Sequence, residues 1–119
     1  MAEQSYTAAE QLRRLRNHRS CISRAYYAAF SAITSAIRKR TAEFPQGFEH
    51  PPHVQVGRFV KRHLTQFKSI ERDAIRNAVD RLRFARHDAD YRRDADPKED
   101  DVRKAMFDAR YILETLGVL

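Results

Sequence analysis

The sequence predicts an all-α protein, an antiparallel bundle of four to five helices folded as a single domain over residues 1–119. Three observations carry that expectation. Apolar residues recur at spacings of three and four along most of the chain, the period of one helix face. Only three glycines and four prolines occur among 119 residues, so the chain has few places to turn. No stretch alternates apolar and polar residues as a half-buried strand would. The length suits one ordinary domain, which at this size buries roughly two thirds of its unfolded surface and needs no staples.

The first helix is expected from about Thr7 to Arg16, with Ala8, Leu12 and Leu15 on its inner side. Ser5 or Thr7 can cap its start, and Glu10 stands three residues beyond Thr7, the spacing of a capping box. The second, from about Ser20 to Arg40, places Ile22, Tyr26, Ala29, Ile33 and Ile37 on one stripe. Its many alanines make it slim enough for neighbours to approach, as befits the middle of a bundle. The segment EFPQGFEHPP, Glu43–Pro52, holds three of the four prolines and is expected to be the main loop. A third helix follows over about Val54 to Phe67, with Val56, Val60, Leu64 and Phe67 inward. After a break at Lys68–Ser69, a fourth covers Ile70 to about Arg86 with Ile75, Val79 and Leu82 inside. His87–Pro97 reads as a polar, acidic connection, and Pro97 can open the fifth helix. That helix carries Val102, Met106, Ala109, Leu113 and Leu116, and Gly117 ends it.

Charge narrows the partners. The formal net charge is +7, from 23 Lys and Arg against 16 Asp and Glu. Between Gln11 and Ala42 stand eight cations (Arg13, Arg14, Arg16, Arg19, Arg24, Arg38, Lys39 and Arg40) and no acidic residue. Between Asp88 and Asp101 there are seven acidic residues and three basic ones. A one-sided positive field attracts polyanions, RNA or nucleotides first among them; an acidic protein partner or a second copy would also answer it. No run approaches the ~18 apolar residues of a membrane span, and the polar, then basic N-terminus has no apolar signal core. The expectation is a cytoplasmic protein without a membrane partner.

Most catalytic signatures are missing. Gly47, Gly57 and Gly117 are too scattered to cradle a phosphate, so no cofactor is expected. The single cysteine, Cys21, can form no internal disulfide, and its apolar neighbours point to a buried, inert thiol. His50 and His53 flank two prolines, but nothing else supplies metal-ligand spacing, and no metal is expected.

The central helix is more specific. Its string Ser23-Arg24-Ala25-Tyr26-Tyr27-Ala28-Ala29-Phe30 resembles the signature helix of small HEPN-domain proteins, where R-A-Y-Y-A-x-F is typical. Arg86-His87-Asp88-Ala89-Asp90-Tyr91 resembles the R-x-x-A-D-Y motif that closes the fourth helix in that family, and His53 falls where the family tends to carry a histidine. The resemblance runs from about Ala8 to Leu116. It implies a helical bundle, commonly homodimeric, associated with RNA or nucleotides and often working beside a nucleotidyltransferase-type partner in toxin–antitoxin or defence pairs. Catalytic members are metal-independent ribonucleases with an R-x(4–6)-H motif near the end of the fourth helix. Arg81 and His87 match that spacing in that region, though Arg13–His18 and Arg58–His63 match it elsewhere, and the chain continues as R-H-D-A-D-Y where a catalytic member usually has a tyrosine or polar residue close behind the histidine.

Read as chemistry, Arg24 and Tyr27 share a helical face, and Asp90 or Tyr91 is expected to return across the bundle to meet them. With Arg86 these residues would form either a structural clasp or a polar pocket for a phosphate or base, with Arg38, Lys39 and Arg40 adding positive charge at the helix end. Three functions compete: an RNA- or nucleotide-binding HEPN module paired with a nucleotidyltransferase, an active ribonuclease using Arg81 and His87, and a non-catalytic protein-interaction bundle.

Overall fold

The computed structural model describes residues 1–40, 49–91 and 96–119. They form five α-helices: α1 (Ala2–Arg14), α2 (His18–Arg38), α3 (Val56–His63), α4 (Ser69–Tyr91) and α5 (Glu99–Thr115), with a 3₁₀ turn over His53–Gln55 before α3. No strand occurs among the described residues. The all-helical bundle is as expected.

The alanine-rich α2 is the hub, touching every other helix. Its small side chains Ala25, Ala28, Ala29 and Ala32 are buried, which lets the neighbours close in around Ile22, Tyr26, Ile33 and Ile37. From α4 come Ile75, Val79 and Leu82, and from α5 Val102, Met106, Ala109, Ile112 and Leu113, all buried. Each such Ile or Leu contributes about 1.5–3 kcal/mol by leaving water. Cys21 is fully buried and its Sγ lies 3.2 Å from the Ala9 carbonyl oxygen. Burial pushes its thiol up to about 11, so the inert reading holds.

The short link between α1 and α2 folds them into an antiparallel hairpin. Arg16 turns the chain with φ 56°, in the left-handed region, and Asn17 N–H reaches back to the Leu12 carbonyl at 2.9 Å. This is a Schellman-type ending in which glycine is the usual residue. A side chain there costs about 1 kcal/mol.

Four boundaries depart from expectation. α1 begins at Ala2, without the cap at Thr7, because Ala2 and Tyr6 have a core to enter; Leu15, expected inside, is 77% exposed. α2 ends at Arg38, short of Arg40. α3 is shorter than expected and ends at His63, although Leu64 beyond it is still fully buried. Gly57 explains how α3 comes so near α4: a Cβ there would stand 2.8 Å from Asp80 Oδ1 and 3.0 Å from Arg76 Cγ. Most consequential, α4 does not stop at Arg86 but continues to Tyr91. Ala89 is 3% exposed, so the last turn has a buried anchor, and that anchor is the best helix former. Residues 41–48, which include 43–48 of the predicted main loop, and residues 92–95, part of the acidic connection, lie outside the described residues.

α5 opens where Pro97 suggested. Lys98 N–H donates to the Asp101 carboxylate at 2.9 Å, and three acidic residues, Glu99, Asp100 and Asp101, occupy the first turn, where the helix dipole favours them. Arg81 of α4 reaches Asp108 of α5, while Ala89 and Asp101 line one cavity, so the two helices run antiparallel.

Candidate functional site: the α2–α4 cleft

The C-terminal turns of α4 lie beside the N-terminal half of α2. Between them is a cleft of about 490 Å³ lined by Arg19, Ser20, Ser23, Arg24, Tyr27, Ala89 and Asp90. Arg19 fastens its floor: one guanidinium nitrogen donates to the Ala89 carbonyl oxygen. That oxygen belongs to the last turn of α4, whose carbonyls have no helical partner. The clasp expected from Asp90 and Tyr91 is therefore made by Arg19 and a backbone carbonyl.

The longer α4 puts Arg86 and Asp90 one turn apart on the same helix. Arg86 Nε lies 3.2 Å from Asp90 Oδ2, with side chains 21% and 31% exposed. Nε is nonetheless without an aligned hydrogen-bond acceptor, so the contact is ionic and loosely oriented. The Arg86 guanidinium instead lies over aromatic faces, 5.0 Å from the Tyr27 ring centre and 5.5 Å from that of Tyr26.

Behind this arginine stands an aromatic cluster. Tyr26 is fully buried, and its hydroxyl lies 2.8 Å from His53 Nδ1. The His53 ring stacks on Phe30 at 4.2 Å and meets Tyr27 edge-on at 6.1 Å. Burial, then the charge of Arg86, then His50 hold the His53 imidazole below its ordinary value. Burial drives the Tyr26 phenol far up. Both groups are thus neutral at pH 7; the tautomer that lets the hydroxyl donate to Nδ1 carries its proton on Nε2.

The other residues singled out in the sequence lie elsewhere. Tyr91 is 67% exposed and packs against His87 with ring centres 5.0 Å apart; it does not line the cleft. Arg81 makes a two-point contact with Asp108, at 3.0 and 2.9 Å, which holds its guanidinium above the usual arginine value. Six residues along a helix rotate the side chain by about 120°, so Arg81 and His87 leave α4 in different directions and do not converge within one chain. Arg38, Lys39 and Arg40 sit at the opposite end of α2, roughly 20 Å along the axis from Arg24. There Arg38 donates to the Glu49 carbonyl at 2.6 Å and Arg40 to Thr65 Oγ1 at 2.7 Å; Lys39 is exposed. Among the described residues no group of acidic, histidine or cysteine side chains could hold a metal ion, and no helix is long and apolar enough to cross a membrane.

Sequence reasoning underrated Tyr26 and His53. The available signal was a tyrosine on the apolar stripe of α2: a buried phenol needs a partner for its hydroxyl, and the histidine after the two prolines was the nearest unassigned candidate.

A hub helix flanked by a second long helix, with an arginine, a tyrosine and an aspartate lining the groove between them, defines a helical-bundle domain with a polar cleft. The profile of the HEPN domain matches residues 1–119, the whole sequence, and the chain belongs to that family. Neither curated proteins nor solved structures gave a match.

Proposed function

We propose that this HEPN domain binds RNA or nucleotide in the α2–α4 cleft, as the HEPN half of a HEPN–nucleotidyltransferase pair. The observation that carries the reading is the meeting of Arg24, Tyr27 and Asp90 around one opening, with Arg86 lying on the Tyr27 ring. Arg24 has no ion-pair partner among the described residues and suits a phosphate. The partly buried Tyr27 ring offers a stacking surface for a base. Asp90 supplies acceptors for a base amino group or a ribose hydroxyl. Titration with a nucleotide and a short RNA at low salt tests this: binding by the wild type, lost in Arg24→Glu, supports it, and no binding of either ligand removes it. Co-purification with a nucleotidyltransferase encoded beside it would support the pairing. Failure to bind any polyanion, with retention of an acidic protein partner, would favour a protein-interaction bundle.

The exposed aromatic side chains Phe84 and Tyr91 on α4, 59% and 67% exposed, support a homodimer built on that helix. Sedimentation showing only monomer at tens of micromolar would count against it.

A ribonuclease using Arg81 and His87 is the second reading. His87 is exposed and held beside Tyr91, so its imidazole is open to a 2′-hydroxyl or leaving-group proton while an arginine stabilises phosphate charge. Because Arg81 and His87 leave α4 in different directions, this chemistry needs the two groups to meet across two copies, with Arg81 released from Asp108. RNA cleavage in EDTA, abolished by His87→Ala, is the expected result if the reading is right.

A further inference from the structure

The cleft opens onto a longer feature. Asn17, Ser20, Arg24, Tyr27, Ser31 and Ser35 recur at spacings of three and four along α2, and every one is exposed or half-buried. They form one accessible polar stripe beside the buried apolar face of the helix, made of hydroxyls, an amide, an arginine and an aromatic ring. No acidic residue falls between Gln11 and Ala42. At the N-terminal end of the stripe a second cavity of about 470 Å³ lies at the α1–α2 corner, lined by Arg13, Arg14, Arg16, His18 and Glu99. Its one carboxylate is already taken: Glu99 meets Arg13 at 2.8 Å and lies 3.6 Å from His18 Nε2. Arg14 and Arg16 are exposed and have no ion-pair partner among the described residues. His18, which lines this cavity, and Arg19, which lines the cleft, are consecutive residues in the first turn of α2.

Arg16 adds an independent observation. It occupies the left-handed position that ends α1, where glycine fits without strain. An arginine there is unfavourable for the fold, and a cation beside a basic cavity supplies the reason for it.

We infer that the ligand is an extended single strand of RNA lying lengthwise on α2, its backbone crossing from the Arg14–Arg16 corner over Ser20 to Arg24, with one unstacked base at Tyr27. This rests on the proposed RNA or nucleotide reading of the cleft and extends it: a mononucleotide would occupy the cleft alone. Arg16 to Tyr27 spans roughly 15 Å along the axis, room for more than one backbone unit. A base can reach Tyr27 only if it is not paired in a duplex.

The test compares 5′-AMP with a single-stranded RNA of about ten nucleotides, within the usual site size of strand-binding domains, on the full chain, the double variant Arg14→Ser/Arg16→Gly, and Arg24→Glu. The wild type should bind the oligonucleotide at least tenfold more tightly than 5′-AMP. The double variant should bind the oligonucleotide about tenfold more weakly, keep its 5′-AMP affinity, and show a shallower salt dependence, by about 0.7 in log–log slope for each phosphate it no longer neutralises. Arg24→Glu should weaken both ligands. Glycine at position 16 relieves strain, so the double variant should melt no lower than the wild type, which separates weaker binding from impaired folding. Equal affinity for the two ligands, or an unchanged salt slope in the double variant, overturns the extended strand while leaving the cleft reading intact; a wild type that binds neither ligand overturns both.

Discussion

Arg81 and Arg86 lie five residues apart on α4, and each faces an aspartate. Arg81 reaches across to α5 and grips Asp108 with two aligned hydrogen bonds; the Asp108 side chain is only 9% exposed. Arg86 stays with its own helix, approaches Asp90 without alignment, and spends its flat face on two tyrosine rings. Two-point geometry to a buried carboxylate fixes how two helices sit. A loosely held pair on the edge of a cleft leaves donors and acceptors available to something else. The same residue types thus serve as a fastener in one place and as an opening in the other, and their surroundings make the difference.

The largest effect should come from breaking the fastener. Arg81→Ala leaves the Asp108 carboxylate buried without its cation. Because the Arg81 side chain is itself 62% exposed, solvent screening keeps the cost below that of a fully buried pair; about 2 kcal/mol is expected. Urea melts would read it, and a cost under about 0.5 kcal/mol would place the pair with ordinary surface ion pairs.

The aromatic cluster behind Arg86 should come next. Tyr26→Phe removes the hydroxyl that His53 Nδ1 accepts from, at an expected cost of about 1 kcal/mol. The burial of His53, with Arg86 and His50 beside it, sets a pH dependence. His53 is held below its ordinary value of 6.5 in the fold, so the unfolded chain binds the proton more readily. The contribution is complete above about 6.5 and is lost as pH falls through the lowered folded value. His63 is shifted the same way, by burial and Arg62, so the melts should be repeated with His53→Gln and His63→Gln separately. If the acid loss of stability is untouched by His53→Gln, the cluster is not responsible.

Asp90→Ala should have the smallest effect on stability. A part-exposed pair one turn apart on a helix is worth about 0.3–0.5 kcal/mol, so the melting temperature should barely move while nucleotide or RNA affinity falls. A loss near 3 kcal/mol, the figure for a buried pair, would make this pair a second fastener and erase the contrast with Arg81.

Much of the fold was legible from the residues. The Ile22–Ile37 stripe, the alanines beside it and the α5 series from Val102 to Leu113 announced buried helix faces, because apolar periodicity is a property of the chain alone. Element ends were less legible. α1 starts at Ala2 and α4 runs to Tyr91 because Ala2, Tyr6 and Ala89 find neighbours to pack against, and no local cap predicts that. The site divides in the same way. Arg24, Tyr27 and Asp90 stood out in the sequence as candidates, and the structure lines one cleft with all three.

What the sequence determined by itself was the helical class, the inventory of cations and aromatics, and the acid-free run that includes all of α2; these depend on residue identity and spacing. Which charge meets which was settled by the packing of the helices. Arg81 went to Asp108, Arg19 to the Ala89 carbonyl, Tyr26 to His53 and Arg86 to two tyrosine rings, partners 27, 70, 27 and about 60 residues away. Long side chains choose among acceptors by the packing of the helices that carry them, and that packing is settled by the apolar faces, which say nothing about charge.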